Sequence, residues 1–382
     1  MKGITFPLLI VFMFIWAMPA HALIDAKVGY GTSFKLDGVL QWQMYNQFGD
    51  ESIPEEWTFR IPTLYLTMSG TLVNENITYF VGLEPTQQGY TFDGELISAI
   101  AYDLLDPKTS EAFLHIPNIS IPTVPVLQDV KINFKGLIPN TTITFGRFLP
   151  DWSYFMSRNT ADLYMVNYPV VTQQFGMWRQ VGIQLTTTTD MVDFYFGVFN
   201  GSQIFASEAT EDFVLLGDNW EDNNKYKDLF AKAVFKYEGF FLAPEFWYGW
   251  PLGDYMPDYS ELSYYLLGGE IGYIAKGFTV VGEYQKRHIE LCDFTGADFD
   301  STGAYIHLGY FFLEGLEGIA RFDFIEPNDD VRDDERMYYS LGVNYFPDVP
   351  VHAKISLNYR ITDPQDDAPE THETWLQISL YH

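Results

Sequence analysis

Cysteine is almost absent. Cys292 stands alone among 382 residues, which excludes an internal disulfide framework and any metal site built from several thiolates. Basic residues are scarce too. Lys and Arg number 22 against 51 Asp and Glu, a formal net charge of −29, and this excludes nucleic acid as a partner because binding it needs a basic face. Beyond residue 22 no apolar run approaches the roughly 20 residues that a membrane-spanning helix requires. Long stretches of 3.6-residue periodicity are scarce as well. No nucleotide-binding loop, nucleophile elbow or zinc-binding helix occurs, and none of the 7 histidines sits at paired helical spacing. The sequence therefore gives no catalytic residue, metal ligand or cofactor site, and no enzyme is expected.

Aromatic residues are abundant. They make up 18% of the chain within a hydrophobic fraction of 47%, which rules out disorder. The first residues read as an address: Lys2, an apolar run from Ile4 to Pro19, then Ala20-His21-Ala22. A basic start, a short apolar stretch and a small-x-small end make a secretory signal peptide over 1–22. The alternative is a retained anchor. The remainder, 23–382, reads as a single domain.

Period-2 alternation runs through that remainder. Phe34, Leu36, Leu40, Trp42 and Met44 share one parity, with Lys35, Asp37, Gln41 and Gln43 on the other. Near the end Val351, Ala353, Ile355, Leu357 and Tyr359 alternate with His352, Lys354, Ser356, Asn358 and Arg360. In a strand this makes one apolar and one polar face. Strands are expected near 35–46, 58–69, 76–84, 127–135, 141–149, 177–186, 191–199 and 227–236. Eight more are expected near 240–249, 261–274, 277–290, 301–313, 317–326, 336–346, 350–361 and 372–382. Their connections alternate short and long, which fits an all-β, sixteen-stranded antiparallel up-and-down transmembrane barrel with short periplasmic turns and long acidic outer loops.

Charge follows the same division. The long loops hold most of the acidic residues, including Glu221-Asp222, Asp329-Asp330 and Asp333-Asp334-Glu335, and their only basic ones are Lys108, Arg158, Lys225 and Arg332. Such a rim suits bridging to lipopolysaccharide through divalent cations, or else concentrating cations at an entrance. Strand-end aromatics such as Trp42, Trp57, Trp178, Tyr248, Trp250, Tyr273, Tyr345 and Phe346 suit the membrane interfaces.

With the apolar parity turned to lipid, the inward parity carries Lys131, Lys135, Lys232, Lys236, Arg287, Arg321, Lys354 and Arg360 with Asp129, Asp193, Glu245, Glu270, Glu283 and Asp323. Ions cost several kcal/mol each at the bilayer midplane, so this wall is expected to be wet. A barrel of this strand number leaves an aqueous channel. Two loops have the length and apolar content to narrow it. The 85–126 loop contains a helix-like stretch, Glu95–Leu105, and the 150–176 loop carries Trp152, Tyr154, Phe155, Met156 and Arg158. The 150–176 loop is the stronger candidate, and Lys131, Lys135 and Arg158 are the first candidates for solute contact.

Several segments resemble the phosphate-selective porin O and P family of bacterial outer-membrane porins. They include 128–134 (QDVKINF), 143–150 (ITFGRFLP), 178–185 (WRQVGIQL), 196–201 (FGVFNG), 222–229 and 339–346 (YSLGVNYF). The resemblance implies a sixteen-stranded homotrimeric porin, placed in the outer membrane by the barrel-assembly machinery. The family owes its phosphate preference to basic residues stacked along the pore and in the inward loop; here the 150–176 loop has only Arg158, and the inward lysines and arginines of the strands are scattered. Family members also usually end on an aromatic residue, whereas this chain ends Leu380-Tyr381-His382.

The expected function is passive diffusion of small hydrophilic solutes and ions, anions such as phosphate among them, with weak selectivity. The alternative is a closed or plugged barrel that acts as a structural, adhesive or divalent-ion-binding surface. A third reading is a soluble, secreted, β-rich carbohydrate binder.

Overall fold

The computed structural model describes residues 24–28, 32–49, 57–72, 74–84, 127–158, 162–201, 203–207, 212–216, 226–250, 263–290, 298–332, 334–347, 352–364 and 369–381. Residues 1–22 and the stretch Glu95–Leu105 lie outside them, so the expected signal peptide and loop helix do too.

The strands are β1 (Ile24–Val28), β2 (Thr32–Phe48), β3 (Thr58–Leu72), β4 (Asn74–Leu83), β5 (Leu127–Ile138) and β6 (Thr141–Phe148). A short helix α1 (Val170–Phe175) precedes β7 (Gln180–Thr188), β8 (Val192–Phe199), β9 (Gln203–Ser207), β10 (Asp212–Leu216) and β11 (Asp228–Tyr237). The rest are β12 (Phe240–Gly249), β13 (Tyr264–Ala275), β14 (Phe278–Ile289), β15 (Phe299–Leu313), β16 (Leu316–Glu326), β17 (Arg336–Tyr345), β18 (His352–Pro364) and β19 (Thr371–Tyr381).

Strands β2–β8 and β11–β19 pair antiparallel, each with its neighbour. β8 pairs with β11, and β19 closes the ring on β2. The result is a closed sixteen-stranded barrel, and closure leaves no strand edge to be satisfied within a membrane. All sixteen expected strands are present.

Three further strands were not expected. β9 and β10 pair with each other apart from the barrel, in the connection between β8 and β11, and β10 lies beside α1. β1 pairs with the start of β2, where Ile24 meets Leu36; β19 reaches only as far as Val39 on that strand, so β1 runs on from it, end to end.

Turn chemistry sets the register on the short-turn side. Glu238 and Gly239 have φ of 47° and 88°, and Lys276 and Gly277 have 54° and 80°. Two consecutive positive φ values make the type I′ turn whose twist matches a two-residue hairpin. Alternation then sorts the faces. Leu242, Leu267, Ile271, Leu308, Leu341 and Leu357 are exposed on the outside, whereas Lys354 and Ser356 beside Leu357 are 3% and 1% exposed on the inside.

Candidate functional site

The segment between β6 and β7 turns into the barrel. Trp152 is fully buried, with its ring 6.2 Å from both Phe230 and Trp247. Phe155 packs 5.5 Å from Tyr305 and 5.8 Å from His307, and Tyr164 stacks on His307 at 4.8 Å. Helix α1 buries Val170, Val171, Thr172 and Phe175. Its close approach needs a gap in the wall, and Gly303 supplies one: a Cβ there would lie 2.9 Å from both Phe175 and Val171. With Leu163 and Met177, these side chains join inward residues of β8 and β11–β17 in one apolar cluster. Part of the cylinder is therefore packed like the interior of a soluble protein.

A loop buried this way has backbone N–H and C=O groups that regular structure does not pair, and each needs a partner. The wall provides them. Glu245 Oε2 accepts the Ser153 N–H at 3.0 Å, and Glu283 Oε2 accepts the Ser153 hydroxyl at 2.9 Å and the Tyr154 N–H at 3.3 Å. Asn358 Oδ1 accepts the Val166 N–H at 2.7 Å, and Asp323 Oδ1 the Val170 N–H at 2.9 Å. In the other direction Lys354 Nζ donates to the Leu163 carbonyl at 2.5 Å and Asn344 to that of Tyr164 at 2.7 Å. Arg321 donates to the carbonyls of Asn167 and Tyr168 at 3.0 and 3.2 Å. A bond of this kind contributes about 0.5–1.5 kcal/mol, and about 1.5–3 kcal/mol where one partner is charged.

The expectation of a uniformly wet inner wall is therefore corrected. Lys232, Glu245, Glu270, Glu283, Arg321 and Lys354 do face inward, but the loop lies over them and they are 3–7% exposed. Lys232 is held by Glu270 at 2.5 Å and Glu245 at 3.3 Å. Arg287, 1% exposed, lies 4.9 Å over the ring of Phe175. The charges avoid lipid, as the alternation requires; Glu245, Glu283, Arg321 and Lys354 bond the folded loop, and Lys232 and Glu270 pair with each other. Among the remaining candidates, Lys236 pairs with Asp193 at 2.8 Å near the short turns, and Lys135 is exposed at that same end. Arg158, within the loop, donates to the Tyr154 hydroxyl at 2.5 Å and stacks over its ring at 4.2 Å. Burial raises the Tyr154 pKa, and the neighbouring Tyr164 adds to the effect.

Among the described residues, the wall side chains that bond the loop between Ser153 and Val170 all lie on β12–β18. An opposite arc, from β18 across β19 to β5, carries cations laid on ring faces. Lys131 lies 5.2 Å from the centre of Phe80 and 5.9 Å from that of Phe148. Arg60 lies 4.8 Å over Tyr45, and Arg360 lies 5.2 Å over Trp375 while bonding Glu373 at 2.6 Å. Arg179, at the loop's exit, donates to Asp129 at 3.0 Å, and the Tyr65 hydroxyl donates to the same carboxylate. Among the described residues Lys131 and Arg60 have no carboxylate partner.

Arg60 escaped the sequence reading because it shares its parity with Leu64, Leu66 and Met68. A bulge between Gln41 and Gln43 shifts the β2–β3 register and turns Arg60 inward, where it donates to Gln43. Pro62, two residues on, was the available signal, since proline within a strand marks a bulge or an edge. At the end of the barrel away from the short turns Glu326, Asp334 and Glu335 bring carboxylate oxygens within 4.8 Å of one another, the arrangement among the described residues suited to a cation.

No protein-family model matches the chain, and no curated protein matches it either. Solved structures do. The outer-membrane channel DcaP of Acinetobacter baumannii superposes with a TM-score of 0.62 at 10% identity, over 94% of this chain and 100% of that one. The fold is that of the bacterial outer-membrane porins. An anion-selective porin from Comamonas acidovorans gives 0.60 at 10% identity, over 92% and 100% of the two chains. OmpT, an outer-membrane protein of Vibrio cholerae whose structures include a trimer form, gives 0.57 at 10% identity, over 94% and 99%. The likeness reaches the porin barrel and does not single out the phosphate-selective group.

Proposed function

We propose that the chain is a passive outer-membrane channel for small hydrophilic solutes and ions, with anions favoured at the narrowest level. One observation carries this reading: the loop is fastened to β12–β18, and the arc that faces it presents Lys131 and Arg60 without a neutralising carboxylate among the described residues. Arg179 and Arg360 already hold Asp129 and Glu373, so among the described residues the arc lacks the convergent free donors of a phosphate trap. A signal peptide over 1–22, a homotrimer and lipopolysaccharide contacts at the acidic rim belong to the same reading. The similar anion-selective porin and the trimer form of OmpT support it by analogy of fold.

Planar-bilayer recording tests it. Stepwise conductance is expected, with a reversal potential under a salt gradient on the anion side; repeated silent insertions would overturn it. The second reading, a plugged barrel with a cation-binding rim, draws on the Glu326–Asp334–Glu335 trio. Liposome swelling with small sugars separates the two, because a plugged barrel admits none.

A further inference from the structure

Beneath the root of the inward loop, at the end of the barrel that carries the short turns, lies a cavity of about 540 Å³. It is open beside Glu238 and Gly239 of the β11–β12 turn and is roofed by the loop from Asp151 to Arg158. None of the contacts that fasten the loop to β16–β18 involves it.

Its polar groups are of both signs and only partly used. Arg158 spends one nitrogen on the Tyr154 hydroxyl, and its Nε and Nη1 take no described partner. Glu270 is 3% exposed and lines the cavity; its Oε1 accepts from Lys232, whereas Oε2 receives no hydrogen bond from a described residue. Asp151 Oδ2 accepts from Gln184 at 2.5 Å, which leaves Oδ1 open. Asp151 and Arg158 both lie within electrostatic reach of Glu270. Of the other two cations of the lining, Lys232 is held by Glu270 and Glu245, and Lys236 by Asp193 and the Thr189 carbonyl. The apolar walls are Tyr195, half-buried, and a parallel stack of Tyr154 on Phe241 with centres 5.3 Å apart.

A free cation, free carboxylate oxygens and ring faces around one small cavity suit a ligand that carries all three complements. We propose that this recess binds zwitterionic α-amino acids with apolar side chains. Arg158 takes the carboxylate, Glu270 and Asp151 take the ammonium, and the side chain lies against Tyr195 and Phe241. A simple anion meets the acidic floor and a simple cation meets Arg158, so each forfeits half of the pairing. Access from the periplasm rests on the channel reading above, which puts the short turns on that side; the binding chemistry does not.

Titration calorimetry of the full chain in detergent, shown to be folded by heat-dependent gel mobility, tests the proposal with three ligands. L-phenylalanine is expected to bind about tenfold or more tighter than 3-phenylpropionate, which lacks the ammonium, and than 2-phenylethylamine, which lacks the carboxylate. Arg158→Gln is expected to lower phenylalanine affinity to the level of phenylethylamine, and Tyr195→Phe to weaken it less. Equal affinity for the three ligands, no binding, or Arg158→Gln binding like the parent would overturn it. If Arg158→Gln does not fold, the ligand series and Tyr195→Phe still decide. A barrel that conducts salt but ignores phenylalanine sinks this inference alone; one that binds phenylalanine but never conducts sinks the channel reading alone.

Discussion

Ser153 holds a φ of +61° while its backbone N–H rests on Glu245 Oε2, 3.0 Å away and 92 residues on in the sequence. A left-handed backbone at a non-glycine residue costs of order 1–3 kcal/mol and persists where its surroundings over-determine it. Here the surroundings are two carboxylates, since Glu283 takes the hydroxyl of the same serine. The loop root is thus held in a conformation that it would not adopt in water.

Glu245→Leu removes that acceptor and one of the two carboxylates around buried Lys232. Breaking a buried, paired charge destabilises by about 3–5 kcal/mol. The temperature at which the folded gel band converts to the unfolded one is expected to fall, and single-channel current to become noisier as the loop root loosens. An unchanged conversion temperature would count against the anchoring role.

Gly303→Val puts branched carbon where a Cβ already meets Phe175 and Val171 at 2.9 Å. Overpacking of this kind costs about 1–3 kcal/mol. Helix α1 is expected to lift from β15, and conductance to change along with a lowered unfolding temperature. Gly269→Ala on β13 serves as the control, because nothing lies within 4 Å of a Cβ there.

Lys131→Glu and Arg60→Glu each reverse a charge that no described carboxylate neutralises. Both are expected to move the reversal potential under a salt gradient toward the cation side. Lys354→Met, whose ammonium is taken up by the Leu163 carbonyl, is expected to move it much less. Equal shifts from all three would mean that burial under the loop does not hide Lys354 from the passing ion.

Burial holds the pKa of the Tyr168 hydroxyl up at about 12; Arg179 pulls it down and Glu84 pushes it up. The folded value exceeds the ordinary value of 10.0, so the neutral phenol's contribution to stability is complete below pH 10 and disappears between about pH 10 and 12. Urea unfolding of the parent chain and of Tyr168→Phe across that window should show the parent losing stability faster. Parallel curves would refute it.

The strands were legible because one solvent difference, hydrocarbon outside and water or protein inside, imposes the same two-residue alternation everywhere. Leu357 against Lys354 and Ser356 shows the rule working. The rule cannot tell which inward residues meet water. Lys131 and Lys354 have the same chemistry and the same parity, and they part only because the loop crosses β18 and leaves the arc at β5 open. Helix α1 gave little sign of itself, since Val170, Val171 and Thr172 are β-branched residues that read more readily as strand. Arg60 was hidden by a bulge, which inverts the alternation within one strand.

The loop's fastenings have a consequence for assembly. It leaves the chain after β6, yet the groups that receive it sit on β12, β14, β16, β17 and β18, most of them in the last third of the sequence. No nascent hairpin can complete that docking alone. The narrowing of the bore thus arises late, after a wider tube has been nearly sealed, and a protein halted before its final strands would keep an unconstricted passage.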